Sequence, residues 1–128
     1  MFALLDRLPP PLWMGLSWLG VGIVLMLSLL PVTVPEQFEF WNVDKLVHMT
    51  MYASLMLSFS RAYARRRWLA IAIALGSLGL GIEYLQSLTP NRSASLLDEI
   101  ANLAGISIML LVLRHAPVAA APSSRGQP

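Results

Sequence analysis

Long apolar runs alternate with short polar segments along this chain, a pattern typical of membrane-spanning helices. The first run covers residues 12–30, carries no charge and has about the length of one bilayer crossing. Prolines stand directly before it and at Pro31, which fits the ends of a helix. The run is long for a signal peptide and no small-residue cleavage site follows, so we expect a retained helix. Three further helices are predicted at residues 43–63, 68–88 and 96–114.

The composition supports the same class of protein. Hydrophobic residues make up 56% of the 128 residues and charged residues only 12%, a balance typical of a membrane protein. We therefore predict an all-α membrane protein, a bundle of four transmembrane helices, in a single domain over residues 1–114. Residues 115–128 are rich in Ala, Pro and Ser and are predicted to form a disordered tail. The absence of cysteine excludes disulfides and thiolate chemistry. The chain has no stripe of basic residues with interleaved aromatics, so nucleic-acid binding is not predicted.

The basic residues predict how the bundle sits in the membrane. Four crossings place both termini and the loop at residues 61–67 on one side, together with seven of the nine Lys and Arg residues. Only Lys45 and Arg92 fall on the other side. By the positive-inside rule we expect both termini and the 61–67 loop to face the cytoplasm.

Polar residues within the apolar helices cluster at the predicted outer face. Placing an ionisable group in lipid costs on the order of 3 kcal/mol on insertion scales. Such groups therefore usually form pairs, line a cavity or take part in function. Residues three or four positions apart in sequence lie on the same face of a helix. The cluster contains Asp44, Lys45, His48 and Tyr52 of the second helix, Glu83 and Gln86 of the third, Arg92 of the following loop, and Asp98 and Asn102 of the fourth.

Two interpretations of this cluster stay open. In the simpler one, Asp44 and Asp98 stabilise helix starts, and Glu83 forms a structural salt bridge with Arg92 or His48. In the functional one, the helix N-termini with Lys45 and Arg92 bind an anion such as phosphate or carboxylate. Glu83 and His48 could then also exchange protons as a general acid–base pair. A metal site is not predicted because only one histidine lies in the cluster, and no cofactor is expected.

At these residues the sequence resembles the VanZ-like family of small bacterial integral membrane proteins. The resemblance covers about half of the chain, from Asp44 to Gly105. The matching stretches are Asp44-Lys45-x-x-His48-x-x-x-Tyr52 and Gly81-x-Glu83-x-x-Gln86-x-x-x-Pro90-x-Arg92-x-x-Ser95-x-x-Asp98-x-x-x-Asn102-x-x-Gly105. The resemblance implies a multi-pass protein of the bacterial cytoplasmic membrane. The family is named for a protein associated with low-level teicoplanin resistance.

Three functions are compatible with the sequence. The first is an envelope protein that binds an anionic lipid or a lipid-linked cell-wall precursor at the outer leaflet and alters glycopeptide access. The second is a hydrolase or transferase acting on a lipid-linked phosphate or precursor, with Glu83 and His48 as catalytic residues. The third is a structural or accessory subunit, and a homo-oligomer is compatible with any of them. The residues expected to bind a ligand are Asp44, Lys45, Tyr52, Gln86, Arg92, Ser95, Asp98 and Asn102.

Overall fold

The computed structural model describes residues 8–30, 43–88 and 95–115, which form four α-helices joined in part by a short 3-10 turn. The helices are α1 (Pro10–Leu29), α2 (Val43–Ala62), α3 (Trp68–Ser87) and α4 (Leu96–His115), and the turn is Arg65–Arg67. The described part contains no strand, and every predicted helix is present with ends within two residues of the prediction. One boundary was wrong: His115 was assigned to the tail but belongs to α4. The predicted disordered segment after it lies outside the described residues.

Three segments of the described chain are long and apolar enough to cross a membrane: Pro10–Leu29, Arg65–Ser87 and Leu96–His115. Their outer surfaces expose large apolar side chains, for example Trp18 at 59% and Ile73 at 63%. A continuous apolar exterior of this kind is suited to lipid. We conclude that this is an all-helical membrane protein. Helix α2 is as long as its neighbours but more polar, so length and composition alone identify three of the four predicted crossings.

Helix α2 occupies the centre of the bundle and packs most closely against α4. Gly105 makes this close approach possible: a Cβ added there would overlap the backbone carbonyl oxygen of Met49. Only a residue without a side chain lets the two backbones touch. The contact fixes the register of the two helices and sets the first turns of α2 beside the first turns of α4.

Apolar side chains of all four helices fill the interior. Val24, Tyr52, Met56, Leu75 and Ile106 are buried members of this core. Val24 belongs to α1 and Leu75 to α3, so each outer helix is joined to α2 through the core. In a water-soluble protein, burying such side chains stabilises the fold by excluding water. Inside a lipid bilayer, the stabilisation comes mainly from close packing of the side chains.

The two ends of the bundle differ in charge. At one end, the Arg65 guanidinium donates to the Arg114 carbonyl at 3.1 Å and so satisfies the C-terminus of α4. Arg65 also lies over the Trp68 ring, and Arg67 over the Tyr63 ring. The four described acidic residues lie at the other end, where α2 and α4 begin and α3 ends. The structure thus confirms that the basic loop and the polar cluster lie at opposite ends.

We expect Gly105→Ala to lower the stability of the bundle, because the added methyl group must push α2 away from α4. Overpacking of this kind costs about 1–3 kcal/mol. Gly81→Ala is the matched control, since a Cβ at Gly81 meets nothing within 4 Å. The control should keep or raise stability through better helix propensity. Thermal unfolding of the purified variants in detergent tests this, and equal unfolding temperatures for Gly105→Ala and the wild type would contradict the packing account.

Candidate functional site

Three contacts between α2 and α4 build a polar ladder that starts at the acidic end of the bundle. Lys45 Nζ forms an ion pair with Asp98 Oδ1 at 2.8 Å. One turn deeper, His48 Nδ1 lies 3.0 Å from Asn102 Oδ1, and its Nε2 lies 4.0 Å from Asp98 Oδ2. Helix α2 thus contributes residues three apart and α4 residues four apart, and the register fixed at Gly105 brings them opposite one another. The structure thus brings polar residues of the second and fourth helices into direct contact.

Glu99 extends the ladder into the interior and was missed by the sequence analysis. Its side chain is 3% exposed, and its Oε2 accepts a hydrogen bond from Asn102 Nδ2 at 3.1 Å. Gly79 of α3 makes room for this carboxylate, because a Cβ at Gly79 would overlap Glu99 Oε2. The sequence carried one usable signal: Glu99 stands three residues before Asn102, which places the two on one face. The sequence could not identify Glu99 as the buried acid, because the adjacent Asp98 could equally have faced the interior.

Glu99 and Asn102 together decide which nitrogen of His48 carries hydrogen. A carboxylate only accepts, so Asn102 must turn its Nδ2 group toward Glu99 and its Oδ1 toward His48. His48 Nδ1 is therefore the donor in the 3.0 Å contact with Asn102. Its other ring nitrogen, Nε2, faces Asp98 and stays available to an outside group. This arrangement, in which one ring nitrogen is held and the other is free, suits a histidine that accepts or transfers a proton.

Glu83 binds the backbone at the start of α4. Its Oε2 accepts a hydrogen bond from Ser95 N at 2.8 Å, and Ser95 Oγ lies 3.4 Å from Asp98 N in the capping position. A carboxylate at a helix N-terminus is stabilised by the unpaired N–H groups and the helix dipole. The N-terminus of α4, predicted to attract an anion, thus already holds the protein's own carboxylate. Glu83 does not contact His48, so the predicted acid–base pair is not formed between these two residues.

Three buried oxygen atoms have neither a hydrogen bond nor an ion pair among the described residues: Glu83 Oε1, Glu99 Oε1 and the hydroxyl of Tyr52. Their side chains are at most 7% exposed. Buried polar groups are nearly always paired, and leaving one unpaired costs about 1–3 kcal/mol. These three atoms therefore identify a place where the described side chains do not complete the hydrogen bonding.

Other predicted site residues have different surroundings. Gln86 is buried but turns to α1, where its Nε2 donates to the Ser28 carbonyl at 2.8 Å. Asp44 is the most exposed member, with 41% of its side chain accessible, and it pairs with Lys45. Arg92 lies outside the described residues, so its part in the site stays a prediction. Gln86 thus joins helices, whereas Asp44 lies at the rim of the ladder.

The charge balance of the described cluster differs from that of a simple anion site. Its ionisable members are Asp44, Glu83, Asp98 and Glu99, with Lys45 as the one ammonium group and His48 as a titratable base. Lys45 is engaged by two carboxylates, so this end of the described bundle is acidic overall. Among the described residues, no three His, Cys, Asp or Glu side chains converge in a way that could hold a metal ion. No known protein family, curated protein or solved structure matches this chain.

We expect Asn102→Leu, a change of similar volume, to uncouple His48 from Glu99. Glu99, which is buried, and His48, which is partly buried, lose their hydrogen bonds, so the free energy of unfolding should fall by about 1–3 kcal/mol. Leu103→Met, one position along on an exposed part of α4, is a control that leaves the ladder intact and keeps the surface apolar. Unfolding in detergent with added denaturant measures the difference between the variants. If Asn102→Leu is as stable as the wild type, the ladder does not hold α2 and α4 together.

Proposed function

We propose that this protein is a VanZ-like protein of the bacterial cytoplasmic membrane that binds the headgroup of an envelope lipid or lipid-linked cell-wall precursor. In this proposal all four helices cross the bilayer, both termini face the cytoplasm and the polar ladder opens to the outer leaflet. The binding would alter glycopeptide access and link the protein to teicoplanin resistance. The observation that carries the proposal is the partly open pair formed by His48 Nε2 and Asp98 Oδ2, on a ladder that is otherwise internally bonded.

The hydrogen bonding of α2 supports its crossing of the membrane. Serine and threonine hydroxyls of α2 bond to carbonyls of their own helix: Thr50 to Leu46 at 2.7 Å and Ser54 to Thr50 at 2.8 Å. Hydroxyls satisfied in this way can lie against lipid or in a groove without further partners. Lys45 and His48 of α2 meet partners on α4, which is the usual arrangement for charged groups inside a membrane. The low hydropathy of α2 is thus compatible with a central spanning helix.

The open pair favours particular ligand chemistry. The side chains of His48 and Asp98 are 22% and 16% accessible, so a headgroup can reach them from the end of the bundle. Asp98 Oδ2 accepts hydrogen bonds, and so does Nε2 of a neutral His48. A gap of 4.0 Å between them suits a hydroxyl or ammonium group that donates to one or both. Envelope headgroups offer such donors.

An acid–base enzyme is the second candidate, because the held Nδ1 and free Nε2 of His48 are arranged as in a catalytic base. In that case His48 Nε2 would take a proton from the nucleophile that attacks a lipid-linked phosphate or precursor. The headgroup composition of lipids from expressing cells separates the two functions. Turnover changes that composition, and simple binding leaves it unchanged.

We expect Asp98→Asn to abolish teicoplanin protection in a host in which the wild type protects. The substitution keeps the shape of the side chain but removes the charge that faces His48 and Lys45. Tyr84→Phe, at a 65% exposed position of α3, is the control and should protect like the wild type. Susceptibility is compared at equal amounts of folded membrane protein. Full protection by Asp98→Asn would rule out the open pair as the site, and a wild type without protection would rule out the resistance role.

A further inference from the structure

A second polar site lies deeper in the bundle than the open pair and involves different atoms. It is formed by Glu83 of α3, Glu99 of α4 and Tyr52 of α2, which each keep one buried oxygen without a partner among the described residues. Tyr52 is 2% exposed and is not acidic, so its unpaired hydroxyl is evidence independent of the carboxylates. Three different helices thus present polar oxygen atoms in the same buried region.

The helical geometry brings the two carboxylates together. Gly79 and Glu83 are four residues apart, so they lie on one face of α3 with about 5–6 Å between their β positions. Glu99 Oε2 lies directly against Gly79, which places its carboxylate one turn from Glu83. Glu83 and Glu99 act electrostatically on each other, and both act on the Tyr52 hydroxyl. The three side chains therefore form one electrostatic unit.

The described surroundings offer this unit little positive charge. Helix α1 contains no ionisable side chain. On α2, Lys45 is held by Asp44 and Asp98 at the rim. His48 acts on Glu99 electrostatically but is hydrogen-bonded to it only by way of Asn102, and α4 adds a further carboxylate in Asp98. Two carboxylates enclosed in an apolar bundle require a compensating positive charge.

We propose that Glu83, Glu99 and Tyr52 form a site that binds one monovalent cation, either a proton shared by the two carboxylates or an alkali metal ion. Two carboxylate oxygens and a phenol hydroxyl provide oxygen ligands, which suit a hard cation. A single positive charge is the smallest addition that relieves the repulsion between the carboxylates. The site goes beyond the headgroup binding proposed above and does not depend on the identity of that ligand.

Binding at this site affects the hydrogen bonding of the open pair through Asn102. When Glu99 is an ionised acceptor, Asn102 Nδ2 points to it and His48 Nε2 is the free acceptor. A proton on Glu99 Oε2 makes that oxygen a donor, so Asn102 turns its Oδ1 toward Glu99 and its Nδ2 toward His48. The hydrogen of neutral His48 then moves to Nε2. A proton on Glu99 Oε2 thereby sets whether the open pair donates or accepts, whereas an alkali metal ion leaves Glu99 an acceptor and His48 Nε2 the free acceptor.

Labelling with dicyclohexylcarbodiimide tests the site on the purified full-length protein in lipid nanodiscs. This apolar reagent reacts with protonated carboxyl groups, and mass spectrometry of the peptides locates the product. We expect labelling at Glu83 or Glu99 that is lost as the pH rises. Glu83→Gln combined with Glu99→Gln should lose the label, whereas Asp44→Asn, at the exposed rim, should keep it. Labelling is repeated in sodium, potassium and choline chloride at equal ionic strength, which distinguishes a bound alkali metal ion from a bound proton.

Protection by sodium or potassium but not by choline identifies an alkali metal ion that competes with the proton. Labelling that depends on pH but on none of these salts identifies the proton alone. Absence of label on both glutamates at every pH at which the wild type stays folded overturns the proposal. Labelling that is absent in the wild type but gained in Arg92→Ala also overturns it, because Arg92 then supplies the charge. Each outcome is independent of teicoplanin protection, so this proposal and the proposed function fail separately.

Discussion

The contact between the backbones of α2 and α4 at Gly105 determines where the polar residues meet. Because Gly105 has no side chain, α4 rests on the Met49 carbonyl and the two helices keep one register. That register brings Lys45 to Asp98 and His48 to Asn102. A shift of one residue would rotate these side chains by about 100° and separate every pair. The site is therefore a consequence of helix packing, and the glycine matters as much as the ionisable residues.

Gly79 has a related role between α3 and α4, although here a side chain fills the space. Glu99 lies where a Cβ of residue 79 would be, so a carboxylate enters the helix interface without forcing the backbones apart. Glu83 then joins α3 to the start of α4 through Ser95 N. Small residues thus create room for polar groups, and the polar groups bond the helices together. This combination allows a thin bundle to keep ionisable side chains away from lipid.

The sequence predicted the helices well because apolar runs bounded by prolines, arginines and turn residues define them directly. It also predicted that polar residues of α2 and α4 share one end of the bundle, since spacings of four residues fix the helical face. It could not choose between Asp98 and Glu99, because both stand in the first turn of α4 and only packing against Gly79 decides which is buried. Nor could it reveal that Gln86 bonds to Ser28, a contact set by the tertiary arrangement of α1 and α3.

Membrane crossing by α2 is the claim on which the functional account depends, and cysteine accessibility tests it most directly. The natural chain has no cysteine, so single substitutions report without background. Val43 is the first residue of α2, and Arg66 follows the last residue of that helix. With a membrane-impermeant maleimide on intact cells, we expect Val43→Cys to react and Arg66→Cys to react only after permeabilisation. Reaction of both from the same side would mean that α2 does not cross, and the ladder could not then lead from the outer face into the membrane.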